Sequence, residues 1–170
     1  MVIHLVRHAE AIERTPEVQE VHRYLTPRGR SRFRKVANTL KKSGIDPDLI
    51  LTSPLVRAVQ TAEILAQTLK FKKELQLTDL LAHGFGEHEL RGLLEEHPDA
   101  RKIALVGHEP ELGQVARLLL EVEEPCSLDK GAAVSFKLKT QGSAQFRQLV
   151  DGRGNLTDSR GKALKQLNQG

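Results

Sequence analysis

Apolar residues along this chain fall into two recurring patterns: short β-branched runs, and longer stretches in which every third or fourth position is apolar. Val2-Ile3-His4-Leu5-Val6, Asp48-Leu49-Ile50-Leu51-Thr52 and Lys102-Ile103-Ala104-Leu105-Val106 are of the first kind and read as buried parallel strands. Between the first two, Thr26 and Pro27 supply an N-cap and a proline at N1. Phe33, Val36, Ala37 and Leu40 then recur at helical spacing before Gly44, so a helix crosses from the first strand to the second. A further helix is expected after Ser53-Pro54, with Val56, Val59, Ala62, Ile64, Leu65 and Leu69 on its apolar face. Leu75-Gln76-Leu77 suggests a short strand, and 89–96 and 112–120 suggest helices. The alternation over 132–138 suggests a late strand paired with 146–150.

Strands that alternate with helices predict a three-layer α/β/α sandwich with a mostly parallel central sheet. A chain of 170 residues has room for one substantial core, and residues 1–150 are read as that single domain. From Asp151 the chain turns polar and glycine-rich, with Gly152, Gly154 and Gly161. Residues 151–170 are therefore expected to form a polar, partly ordered C-terminal tail, with a short helix around 162–167.

Composition narrows the function. The net charge of +4 and a pI near 9.3 suit anionic ligands, yet the 26 basic residues are interspersed with 22 acidic ones. Five Phe, one Tyr and no Trp give few platforms for stacking bases, which disfavours nucleic-acid binding. The densest basic stretch, Arg28, Arg30, Arg32, Arg34 and Lys35, reads as a solvated helix face, or more sharply as a docking face for an acidic protein. The apolar opening is cut short by Arg7, His8 and Glu10, too soon for a leader or a membrane span. A soluble cytoplasmic protein without membrane partners is expected. Cys126 is the single cysteine and has no partner for an intramolecular disulfide. The seven histidines show neither HExxH nor paired Cys/His spacing, so no metal site is expected.

The chemistry collects where the three clearest strands end: at Arg7-His8, at Ser53-Pro54 followed by Arg57, and at Gly107-His108. Parallel sheets bind ligands outside the C-terminal ends of their strands, so two arginines and two histidines can meet in one pocket. Arginine forks pair with phosphate oxygens and spread the charge of a phosphoryl transition state. A neutral histidine offers a ring nitrogen that can attack phosphorus. His8 is the candidate nucleophile, its other nitrogen held by a backbone carbonyl, with His108 donating to the transferring oxygens.

These segments resemble the histidine phosphatase superfamily. The match comprises Val6-Arg7-His8-Ala9, the run from Leu51 to Ala62 reading LTSPLVRAVQTA, Val106-Gly107-His108-Glu109-Pro110, and Leu25-Thr26-Pro27-Arg28-Gly29, in the family's order. The resemblance implies a phosphoglycerate mutase-like fold and a phosphohistidine intermediate on His8. It carries Arg7, Arg57 and His108 to the phosphate pocket and implies no metal or organic cofactor. The short chain and the Gly131-Ala132-Ala133-Val134 segment are most similar to the SixA-type phosphohistidine phosphatases. The partner implied is a phosphorylated protein carrying phosphohistidine, or alternatively a small phosphate ester hydrolysed by a metabolite phosphomonoesterase. A non-catalytic phosphate-binding module ranks lower.

Ala9 replaces the glycine of much of the superfamily, and Leu80-Leu81-Ala82-His83 has no carboxylate where many members place their acid. Glu109 is the first candidate proton donor, with Glu10, Glu87 and Glu89 behind it. His83, beside Gly84-Phe85-Gly86, is a candidate rim residue. A site without an acid would favour phosphohistidine, whose imidazole leaving group can be protonated beforehand.

Overall fold

The computed structural model describes residues 1–139 and 143–169; Gly170, the last residue of the expected tail, lies outside them. The chain runs β1 (Val2–Arg7), a 3-10 turn (Glu20–His22), α1 (Pro27–Lys42), β2 (Leu49–Thr52), α2 (Val56–Leu69) and β3 (Gln76–Leu77). It continues through a second 3-10 turn (Asp79–Leu81), α3 (Glu87–Glu96), β4 (Lys102–Gly107), α4 (Glu111–Leu120), β5 (Ala133–Leu138), β6 (Ala144–Val150), β7 (Leu156–Thr157) and α5 (Arg160–Leu167). The expected elements are all present, with ends shifted by one or two residues.

The strands form one sheet in the order β3-β2-β4-β1-β5-β6-β7. It is parallel from β3 to β1 and antiparallel from β5 onward. The short β5–β6 connection enforces a hairpin, whereas the earlier strands are separated by helices long enough to cross over. Apolar residues divide by the period of the pleat. Ile3 and Leu5 of β1 join the core beneath α3, α4 and α5, while Val6 joins the core beneath α1 and α2.

Local chemistry sets the helix ends. Thr26 caps α1 by accepting from Gly29 N at 2.9 Å, with Pro27 at the first position, and Gly44 at φ +82° releases the chain afterwards. Phe33, Val36, Ala37 and Leu40 are the buried face, as their spacing predicts. The C-terminal stretch is better packed than its polar composition suggests. β7 pairs with β6, and Ala163 and Leu167 of α5 are buried in the core on the α3/α4 side. Leu164 of the same helix packs against that core as well.

The register decides where the ends of β1, β2 and β4 fall. Val6 and Thr52 both lie beside Val106, and Arg7 lies beside Gly107. The next residues therefore emerge together at one edge: His8 N bonds Gly107 O at 3.0 Å, and Ser53 N bonds Val106 O at 3.0 Å.

Candidate active site

The four residues singled out at the strand ends do converge. The rings of His8 and His108 lie 5.1 Å apart between centroids, and Arg57 Nε donates to His8 Nε2 at 3.3 Å. His8 Nδ1 lies 2.7 Å from the Ala9 carbonyl oxygen. A carbonyl can accept but never donate, so the Nδ1 nitrogen carries the proton and Nε2 carries the lone pair. The donor from Arg57 is consistent with that tautomer. Burial is the main cause that pushes the His8 pKa down to about 3, against the pull of the Ala9 carbonyl and with help from His108, Arg57 and Arg7. The ring is therefore a neutral base at ordinary pH.

His108, 4% exposed, is held through Nε2 by Ser53 Oγ at 2.8 Å, and its Nδ1 is buried without a partner among the described residues. Ser53 Oγ also accepts from Leu55 N at 3.3 Å and keeps one lone pair and its proton for the contact with His108 Nε2. Burial first, then Arg57 and His83, push the His108 pKa down to about 3.

Arg57 opens α2 and is 4% exposed. Its Nη1 donates to the Glu20 carbonyl at 2.9 Å and its Nη2 lies 3.1 Å from Glu20 Oε1. Arg7 donates from Nη1 to the Leu128 carbonyl, and its Nε is buried without a partner among the described residues. Both guanidiniums are thus braced from one side with donors left over. Beyond Arg7 a cleft of about 340 Å³ opens among Glu10, Arg32, Lys130 and Arg153.

The carboxylates named from sequence are engaged elsewhere. Glu109 Oε1 accepts from Leu128 N at 3.2 Å, so the backbone of one residue, Leu128, is held by Glu109 on its amide and by Arg7 on its carbonyl. Burial raises the Glu109 pKa, opposed by the Leu128 amide and by Arg7. Glu10 accepts from Thr26 Oγ1 at 2.9 Å, Glu87 pairs with Arg91, and Glu89 accepts from Gly86 N at 3.0 Å. His83 reaches the pocket: its ring lies 6.2 Å from that of His108, inclined by 28°.

Three contributors escaped the sequence reading. Glu20 meets Arg14, Arg23 and Arg57. Thr61 Oγ1 accepts from Ala9 N at 3.1 Å and donates to the Arg57 carbonyl at 2.7 Å, tying the His8 turn to α2. Ser53 orients His108. Thr61 and Ser53 lie inside the quoted motif and could have been found there; Glu20 sits in a polar stretch with no distinguishing pattern.

A family model described as histidine phosphatase superfamily (branch 1) matches residues 3–106, which span β1 to β4. An uncharacterised protein of Picosynechococcus sp. is 36% identical over 126 residues, covering 70% of this chain and 73% of the relative. Among solved structures, the protein histidine phosphatase SixA complexed with tungstate matches at a TM-score of 0.76 and 24% identity, over 89% of this chain and 97% of that one. The alpha-ribazole phosphatase from Shigella flexneri matches at 0.68 and 17% identity, over 92% and 100%. At these identities the structures speak for the fold. The family match, with Arg7, His8 and Arg57 inside it, establishes that this chain belongs to the histidine phosphatase superfamily and is a hydrolase of the phosphatase class.

Proposed function

We propose that this phosphatase takes the phosphoryl group of protein phosphohistidine onto His8 and then releases it to water. The observation that carries the reading is the fixed tautomer of His8. Nδ1–H on the Ala9 carbonyl leaves Nε2 as a neutral, buried lone pair facing Arg57 and His108.

In this mechanism a phosphate draws Arg57 Nε away from His8, because a dianion is a stronger acceptor than an imidazole. Nε2 then attacks phosphorus in line, and the P–N bond forms as the bond to the leaving group breaks. The remaining guanidinium N–H groups of Arg7 and Arg57 and a ring N–H of His108 bear the charge on the equatorial oxygens. Water next attacks phosphorus on the side vacated by the leaving group, and the bond electrons return to His8 Nε2.

The choice of phosphohistidine rests on the fold likeness to SixA and on the engagement of every carboxylate named as an acid. A small-metabolite phosphomonoesterase is the second reading, favoured by the likeness to the alpha-ribazole phosphatase. Acid-labile radiolabel trapped on the wild-type protein during turnover, and a loss of at least ~10⁴-fold in kcat for His8→Ala, are the expected results. Full turnover by His8→Ala would overturn the reading. Turnover of a phosphohistidine protein beside a panel of phosphate esters chooses between the two substrates.

A further inference from the structure

We propose that the cleft beside Arg7 is a second anion site, which takes a carboxylate that the phosphoprotein carries close to its phosphohistidine. The inference rests on the reading of the substrate as protein phosphohistidine and adds what is recognised besides the phosphoryl group.

The cleft begins one residue from the nucleophile. Arg7 and Ala9, on either side of His8, both line it, and Gly131, which lines it too, donates from N to the His8 carbonyl at 3.1 Å. Arg7 thus belongs to the phosphate pocket and to the cleft at once.

Three exposed cations from separate segments meet there: Arg32 from α1, Lys130 from the loop before β5, and Arg153 from the turn between β6 and β7. Close backbone packing holds the three segments together. A Cβ on Gly152 would lie 2.6 Å from the Lys130 carbonyl oxygen, so the turn rests directly on the loop. On its other side Thr39 Oγ1 of α1 donates to the Gly154 carbonyl at 2.9 Å.

Positive charge is in surplus in this cleft. Neither Lys130 nor Arg153 pairs with a carboxylate among the described residues. Asp151, the acid nearest to Arg153 in sequence, spends its carboxylate on its own turn, accepting from Arg153 N at 2.8 Å and from Asn155 N at 2.9 Å. Glu10 is shared, with Oε2 3.8 Å from both Arg28 and Arg32. Four cations in the cleft therefore face two carboxylates, Glu10 and Asp129, and one of the four, Arg7, also serves the phosphoryl group.

That balance selects the occupant. Glu10 and Asp129 repel a long polyanion such as a nucleic acid, whereas a single carboxylate can settle at Lys130 and Arg153. Such a contact favours phosphohistidines with acidic neighbours over those with neutral ones, through encounter rate and specificity.

The test uses two synthetic peptides of one length, each phosphorylated on a single histidine with phosphoramidate. One has that histidine flanked by Asp residues and the other has Asn at the same positions. Wild-type kcat/KM is expected to be about tenfold higher on the Asp peptide at about 20 mM salt, with the preference shrinking at about 200 mM as screening sets in. The double variant Lys130→Ala, Arg153→Ala is expected to abolish the preference, its fall being at least about fivefold larger on the Asp peptide than on the Asn peptide. Equal turnover of the two peptides by the wild type, or a preference that survives in the double variant, would overturn the proposal. Hydrolysis of both peptides without preference sinks the carboxylate site alone. Hydrolysis of p-nitrophenyl phosphate but of neither peptide sinks the phosphohistidine reading and this site with it.

Discussion

Arg57 Nε donates to the lone pair of His8 Nε2 across 3.3 Å, so the phosphate clamp rests on the nucleophile. Two consequences follow from that bond: the lone pair is oriented, and the adjacent positive charge discourages its protonation.

Arg57→Ala is therefore expected to lower kcat/KM by about 10²–10³-fold, the cost of one fixed transition-state donor. It is also expected to raise the His8 pKa above its value of about 3 yet leave it below the ordinary 6.5, because burial is the largest cause of the shift. Histidine titration by NMR reads the second effect; a His8 pKa that fails to move would contradict the contact.

A buried histidine remote from the chemistry makes stability pH-dependent. His4 is 3% exposed and bonded through Nδ1 to Ser135 Oγ at 2.8 Å, and burial followed by Lys102 pushes its pKa from 6.5 down to about 4. The unfolded chain takes up a proton below 6.5 that the folded chain refuses. The stability contributed by neutral His4 is thus complete above 6.5 and is lost as pH falls toward 4, at up to about 1.4 kcal/mol per pH unit. His8 and His108 act in the same direction, with lower folded-state values of about 3. Thermal melts of wild type and His4→Gln over this window are expected to show a shallower acid decline in the variant; superimposable slopes would argue against the linkage.

Gly29 is required by close approach. A Cβ there would lie 2.1 Å from the Glu10 carbonyl oxygen, where α1 packs against the chain leaving His8. Gly29→Ala is expected to cost about 3 kcal/mol, at the upper end of overpacking penalties, or to push residues 9–11 out of place. Chemical denaturation measures the first outcome, and reduced turnover in a still-folded variant reports the second. A variant with unchanged stability and turnover would show that the contact is slack.

Much of the fold was legible because burial imposes a period. The runs at β1, β2 and β4 have no polar face to hide, and Phe33, Val36, Ala37 and Leu40 mark one side of α1. The C-terminal stretch was hard to read because α5 buries only Ala163 and Leu167 among polar residues, too weak a periodicity to separate from a solvated tail. Within the site, Arg7, His8, Arg57 and His108 were readable as strand-end chemistry. Glu20 was not, since its part depends on a 3-10 turn that folds back over α2 and brings its carboxylate to Arg57.

The sequence by itself determined the strand ends, the order of the motifs and the kinds of side chain brought to the pocket. Those follow from local periodicity and from residue chemistry. Only the tertiary structure decided which nitrogen of His8 is free, that Glu109 faces Leu128, and that His83 lies beside His108. Each of these depends on a neighbour distant in sequence or on a single backbone direction. Sheet register and loop closure set such relations, and no local pattern encodes them.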